Sequence, residues 1–438
     1  MKAKKAIDIT KAYNNSYRIL AENVQISNDC IRTGLNNNDM IIGTAGTGKT
    51  RGYVIPNILQ GNESMIVIDT KGNLARKLSP QLKSLGYTIE VIDFRHVSDS
   101  TCGYNPLDFI GRDECGVLCD AQDVMKLASS IVVMGNTKEP FWDYAAQQYL
   151  DVLLSYVLDF LPQDEHNLAT VAELLPYIGG EKFNYLIEEA KQVYPESFSI
   201  HEYNLIRENA SAEKMHTSIK GILGCYLGPM SFPAFRKLFT LERRIDLCEL
   251  GRRKTVLFMN VSDTDSSQDR LVNLFFTQAL QELVKEADRQ PNSRLRVPVR
   301  MILDDFAAST VIPDFDKIIS TIRSRAISVS LILQSIKQLE GMYGEAKACT
   351  ITDNCDNILY LGGRDETTIR KISFMANSLS DKVLNMPLSD AWLFTRGAAP
   401  RQVTRYRLEN HEMRPLPGMP EVDTSAGCES PAQAQREA

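Results

Sequence analysis

Residues 41–52 read IIGTAGTGKTRG, and within them Gly43, Gly48, Lys49 and Thr50 fit the spacing G-x-x-x-x-G-K-[ST]. This stretch restricts the fold more than any other. Such a loop works only where an apolar strand delivers it and a helix leaves it, because backbone N–H groups and a helix N-terminus must converge on one set of phosphates. Both flanks are present: the apolar run MIIG (40–43) comes before, and TRGYVIPNILQ reads as a helix after. Gly43, Thr44, Ala45, Gly46, Thr47, Gly48, Lys49 and Thr50 are therefore the candidate nucleotide-binding set. Lys49 is expected to reach the β and γ phosphates of ATP, and the Thr50 hydroxyl to ligate Mg²⁺.

Short apolar runs ending in polar or glycine punctuation follow along the chain: MIIG (40–43), MIVIDTKG (65–72), YTIEVIDF (87–94), KTVLFMNV (254–261), VRMILDD (299–305), SVSLILQS (328–335), NILYLGG (357–363) and DAWLFTRG (390–397). Their length and continuous apolar character suit strands buried on both faces of a mostly parallel sheet. Helical stretches between most of them supply the crossovers of an α/β fold. Between about 110 and 245 the rhythm breaks. FWDYAAQQYLDVLLSYVLDFL and the runs after it carry apolar residues at three-and-four spacing, which predicts helices. The expected organisation is a polar N-terminal segment with one strand (RILAENVQIS) over 1–38, a nucleotide-binding domain split into 39–110 and 246–410, an all-α domain inserted at 111–245, and a disordered tail over 411–438, rich in proline, glycine and small polar residues.

With 438 residues and a net charge of −6, the chain is not a globally basic nucleic-acid binder, although a local basic face stays open. Nine cysteines show no C-x-x-C spacing and there are only five histidines, which argues against zinc and for reduced thiols. Cys115 and Cys119, four apart, would share one face of a helix. No apolar run approaches the ~20 residues of a membrane span, and the basic start MKAKKAIDITKAYNN has no signal-peptide core.

A phosphate loop of this kind needs carboxylates at the end of another strand. VRMILDDF provides them: Asp304 to hold Mg²⁺ and Asp305 to polarise the attacking water. Gln334, ending SVSLILQS, stands where a polar side chain could read the γ phosphate or the attacking water, or could simply be an exposed strand end. Between these strands, ISTIRSR carries Arg323 and Arg325, either of which could act as an arginine finger on a neighbouring subunit or form ordinary surface ion pairs. Asp123 and Asp265 have no comparable context. The cluster ERRIDLCELGRRK (242–254) is either a basic face or a solvated boundary between domains.

Taken in order, GTGKTRGYVIPN, VIDTKGNL, YNPLDFI, PFWDYAAQQYL, ILDDFAASTVIPDFDKIISTIRSRAISVSLILQS, DNCDNILYLGG and WLFTRG resemble the type IV coupling proteins, the TraG/TraD-type ATPases of conjugation and type IV secretion. The resemblance runs from about residue 18 to 410. It implies a RecA-like P-loop NTPase with an inserted all-α domain, a homo-hexameric ring, and ATP-driven movement of single-stranded DNA with attached relaxase toward a secretion channel. Residue by residue, Lys49 and Thr50 match the family's phosphate-loop pair, Asp304 its Mg²⁺ aspartate, Gln334 its sensor glutamine and Arg323 the position proposed for its arginine finger.

The sequence departs from the family pattern in three places. Asp305 stands where glutamate is usual, and Thr70 where proline is usual. Members usually begin with transmembrane helices, whereas this sequence opens almost directly on the nucleotide domain. That predicts a peripheral location at the inner face of the bacterial membrane, a separate membrane-anchor protein, or a truncated start. Two other readings stay open: an ATP-binding recruitment module with little hydrolysis, and a soluble FtsK/HerA-like DNA pump.

Overall fold

The computed structural model describes residues 15–133, 139–208, 213–262, 264–306 and 311–411; the opening fourteen residues and nearly all of the expected tail lie outside them. A short antiparallel pair, β1 (Tyr17–Ala21) and β2 (Val24–Ser27), opens the described chain. The expectation of one strand here is corrected to a hairpin. Asn23 sits at φ 55°, a left-handed conformation that asparagine tolerates better than most residues, and it turns the chain back.

The remaining strands are β3 (Asp39–Ile42), β4 (Ser64–Asp69), β5 (Thr88–Asp93), β6 (Thr255–Asn260), β7 (Val299–Leu303), β8 (Ile327–Leu333), β9 (Asn357–Tyr360), β10 (Asp390–Thr395) and β11 (Arg401–Thr404). They form one sheet in the order β11-β10-β9-β3-β8-β7-β4-β6-β5. The seven strands from β9 to β5 are parallel, and β10 and β11 are added antiparallel at one edge. The eight apolar runs all become strands. β11, with the polar sequence RQVT and largely exposed residues, carries no apolar signal and is an addition.

The sheet is buried on both faces because successive side chains point to opposite sides. In β3, Met40 and Ile42 join one core, together with Ile66, Met301 and Leu331. Ile41 joins the other, with Val67, Ile302 and Ile332. Between β5 and β6 the chain forms the helices Ala121–Ile131, Phe141–Phe160, Leu168–Leu174, Glu181–Val193, Phe198–Glu208, Glu213–Leu227 and Pro233–Phe239. The second half of Phe141–Phe160 is buried all round, from Tyr149 to Leu158, so it is the central post of this helical block. The block's core is continuous with the Met40 face of the sheet through the helix Asp269–Asp288. Cys115 and Cys119 do not share a helix. Cys115 lies in a turn and is exposed, whereas Cys119 bridges back to Arg112 and is buried.

A polar network is buried at the N-terminal edge of the sheet. Arg18 donates to Asp39 at 2.7 and 3.2 Å, to Asn28 at 2.6 Å and to Asn37 at 2.8 Å. Arg300 of β7 pairs with Glu63 and lies 3.7 Å from Asp39, while Tyr53 donates to Asp39 at 2.5 Å. Arg18, Asp39 and Arg300 are at most 2% exposed. Burial works to raise the Asp39 pKa, but Arg18 and Arg300 overcome it and hold the carboxyl below its ordinary value. Removing one member of such a cluster leaves an uncompensated buried charge, a cost of roughly 3–5 kcal/mol.

Candidate nucleotide site

The phosphate loop leaves the C-terminal end of β3. Gly43 N–H donates to Leu333 O at 3.0 Å and Thr44 N–H to Gly362 O at 3.2 Å, tying the loop to the ends of β8 and β9. A Cβ on Gly43 would stand 2.5 Å from Thr47 Oγ1, so only glycine fits this turn. Gly46 and Gly48 take φ of 79° and 86°, the left-handed region that glycine enters without strain. As a result the N–H groups of Ala45, Gly46 and Gly48 donate to no backbone carbonyl among the described residues. Free N–H groups converging on one concavity form an anion cradle.

Lys49 lies across this cradle, its Nζ donating to Gly43 O at 2.7 Å and Thr44 O at 3.3 Å. The next turn is a π-helix, Thr50–Val54, closed by Ile55 N–H on Thr50 O, before regular α-helix at Ile55–Leu59. Pro56 has no N–H to offer the Gly52 carbonyl, which explains why the first turn is wide.

Asp304 follows β7, two strands from β3. Its Oδ2 accepts the Thr50 hydroxyl at 2.8 Å. Burial raises the Asp304 pKa; the Thr50 hydrogen bond and Lys49 work against that, and Asp305 adds to it. A buried carboxylate beside a hydroxyl is the oxygen donor set that suits Mg²⁺, so the residues present fit a Mg²⁺–nucleotide. Asp305 sits at φ 53°, which aspartate tolerates better than longer side chains. Gln334, just past β8, brings Nε2 to 3.5 Å from Asp305 Oδ1. The structure thus gathers Gly43 to Thr50, Asp304, Asp305 and Gln334 along one edge of three neighbouring strands.

Arg323 is not among them. It precedes β8, at the opposite sheet edge, exposed, with Nη2 donating to Cys30 O at 3.0 Å. Seven strand residues at ~3.3 Å each separate the edges by roughly 20 Å. Arg325 is engaged by Asp288 in a two-pronged pair at 2.9 and 3.1 Å. In the basic run 242–254, Arg243 pairs with Glu90, Arg244 with Asp108, Arg252 with Glu286 and Arg253 with Glu249. With these carboxylate partners the run reads as a boundary between the helical block and the sheet rather than a basic face.

Sequence reasoning missed one cluster. After β11 the chain turns back over the phosphate-loop helix as a strap, Arg405 to Asn410. Arg405 donates to Thr47 O at 3.0 Å, and Arg51 pairs with Glu409. The strap and the loop line a shared cavity with Leu20, Leu359 and Leu361. Nothing in RQVTRYRLEN marks these arginines, because the contacts lie some 358 positions away along the chain.

A parallel sheet with this strand order and this edge defines a RecA-type P-loop NTPase fold. The chain belongs to the family described as type IV secretory system conjugative DNA transfer, which matches residues 2–409. Among characterised relatives, Protein VirD4 of Rhizobium rhizogenes is 23% identical over 373 residues, covering 83% of this chain and 53% of that protein. VirD4 of Agrobacterium fabrum matches to the same extent. The chain thus spans about half the length of these relatives. In structure it is similar to the bacterial conjugative coupling protein TrwBΔN70, with a TM-score of 0.66, 16% identity and 91% of each chain covered. TrwB in complex with ADP and Mg²⁺ superposes at a TM-score of 0.62 with 15% identity, covering 92% of this chain and 93% of that one. VirB4 of Thermoanaerobacter pseudethanolicus gives 0.51 with 14% identity, over 89% and 96%. Among the described residues no helix is long and apolar enough to cross a membrane.

Proposed function

We propose that this chain is an ATP-hydrolysing coupling protein that recruits relaxase-bound single-stranded DNA and moves it toward a type IV secretion channel. The carrying observation is the Thr50–Asp304 hydrogen bond at 2.8 Å, set beside a loop whose Ala45, Gly46 and Gly48 N–H groups meet no backbone carbonyl among the described residues. Together they offer an anion cradle and a metal position on one sheet edge. Mg²⁺ held by Thr50 and Asp304 would supply charge neutralisation to the nucleotide phosphates. Lys49 and the loop amides hold the phosphates, Asp305 takes a proton from the attacking water, and Gln334 orients it.

The position of Arg323 supports action in trans within a homo-hexameric ring, since it cannot reach the phosphate loop of its own chain. Relaxase, channel components and a separate membrane anchor are the partners this reading requires, with the protein peripheral at the inner face of the membrane. The test is steady-state ATPase with and without single-stranded DNA across a range of protein concentration. The expected result is a specific activity that rises with concentration and further with DNA. ATP bound without turnover under every condition favours a recruitment module and overturns the pump.

A further inference from the structure

We infer that Arg405 is a positioning residue for the phosphate loop, clamping its backbone so that the Gly48 N–H is held toward the phosphates. This rests on the nucleotide-binding reading above and extends it to a residue outside the loop motif.

The guanidinium of Arg405 donates to three backbone carbonyls from three separate segments. Nη1 reaches Thr47 O at 3.0 Å, Nε reaches Asp390 O at 2.8 Å, and Nη2 bonds Leu361 O. Thr47 belongs to the phosphate loop, Leu361 follows β9, and Asp390 opens β10. A guanidinium spreads five donors over a rigid planar fork, so it can serve acceptors that lie on different sides of it. No carboxylate among the described residues lies within ion-pair distance of it, although Asp390 is near enough to act on its charge. The backbone around it is equally engaged: Arg405 N–H donates to Ser389 O at 2.8 Å.

The effect on the loop follows from peptide geometry. The Thr47–Gly48 peptide is trans, and in a planar trans peptide the C=O and the next N–H point in opposite directions. Holding Thr47 O toward Arg405 therefore turns the Gly48 N–H away from Arg405, into the concavity of the loop. Without that hold, Gly48, with no side chain to restrain it, is free to rotate the peptide. The strap that carries Arg405 is itself secured: Arg407 N–H and Asn410 Nδ2 donate to Glu22 at 3.2 Å each, and a Cβ on Gly52 would meet Tyr406 O at 3.3 Å.

The test measures binding of a fluorescent ATP analogue with Mg²⁺ to the full chain and to Arg405→Ala, Arg405→Lys and Lys49→Ala. Losing charge-assisted hydrogen bonds of this kind should weaken binding by Arg405→Ala about ten-fold or more, while the chain without nucleotide stays folded and melts only several degrees lower, by about 5 °C or less. Arg405→Lys keeps the charge but offers all its donors from one nitrogen and not from a spread fork, so it should remain weak. Methylguanidine added to Arg405→Ala should recover binding, and should do nothing for Lys49→Ala. Wild-type affinity in Arg405→Ala, or in Arg405→Lys, overturns the clamp. If Arg405→Ala does not fold, Arg405→Lys decides: weakened binding in a normally melting protein supports the clamp. A wild-type chain that binds no nucleotide, or a Lys49→Ala chain that binds it normally, overturns the nucleotide reading itself.

Discussion

Thr50 Oγ1 donates to Asp304 Oδ2 at 2.8 Å, joining the first turn after the phosphate loop to the end of a strand two places away in the sheet. These two oxygens are 254 positions apart in the chain. The contact sets up the first prediction.

Asp304→Ala is expected to bind nucleotide but to lose Mg²⁺-dependent turnover by more than about ten-fold, or ~1.4 kcal/mol of barrier. Titration gives a second readout. Burial raises the Asp304 pKa, so without metal the carboxyl's contribution to stability is complete below its unfolded pKa and is lost as pH rises through the folded one. Mg²⁺ requires the ionised form. Stabilisation by Mg²⁺, followed by thermal melting, should therefore grow as pH rises through that interval in wild type and stay flat in Asp304→Ala.

Asp305 holds a left-handed backbone at φ 53°. Asp305→Asn keeps that conformation and the reach toward Gln334, so it should fold and bind nucleotide normally while turnover falls at least about ten-fold with the base removed. Asp305→Glu should melt slightly lower, because a longer side chain fits this backbone less well. Its turnover is expected to be unchanged or higher. A large fall in turnover would mean that the site is built around the shorter acid.

Arg323→Ala should leave folding and the nucleotide affinity of the isolated chain nearly unchanged while flattening the rise of specific activity with protein concentration. The decisive experiment mixes Arg323→Ala with Lys49→Ala chains. Mixed interfaces then pair an intact phosphate loop with an intact arginine, and ATPase should return although neither variant is active alone. If mixed oligomers form and stay inactive, Arg323 does not act in trans. Arg325→Ala should differ, costing up to about 1 kcal/mol of stability through its partly exposed pair with Asp288.

In the helical block, Asp151 of the helix Phe141–Phe160 is buried, with an Oδ1 that finds no hydrogen-bond partner among the described residues. Burial, with Glu202 adding to it, pushes its pKa up to about 8. The neutral form is thus favoured in the folded state, and this contribution to stability falls as pH rises from the ordinary carboxyl range through about 8. Asp151→Asn, neutral throughout, should be more stable than wild type by a margin that widens over that interval and levels off above it, as read by denaturant unfolding at several pH values. A margin independent of pH would show that Asp151 does not titrate there.

Much of this was legible in the sequence, for reasons that differ from residue to residue. Buried parallel strands announce themselves as apolar runs, and Gly43 to Thr50 carries its geometry in its own composition. Asp304 and Asp305 were visible because two charges ending an apolar strand need a reason. The edge strand β11 was invisible because it buries almost nothing. The hairpin at Asn23 depended on one residue's backbone, and the expected shared helical face of Cys115 and Cys119 failed because spacing alone does not make a helix. Arg323 and Arg325 could not be ranked by spacing. What separates them is Asp288, which sits far upstream and occupies Arg325 alone.

The buried network at Asp39 reaches beyond the sheet. At the N-terminal edge, the β1–β2 hairpin is riveted through Arg18 and Asp39 to the floor of the central strands, with Arg300 and Glu63 beside them. At the other end of the strands, the loop is tied by backbone hydrogen bonds from Gly43 and Thr44, by Arg405 on Thr47 O and by Thr50 on Asp304. The helix that leaves the loop spans the two ends: Tyr53 donates to Asp39, and Asn57 exchanges hydrogen bonds with the backbone of Ile19. The hairpin and the phosphate loop are therefore coupled through one short rod, so a displacement at either end has a direct path to the other.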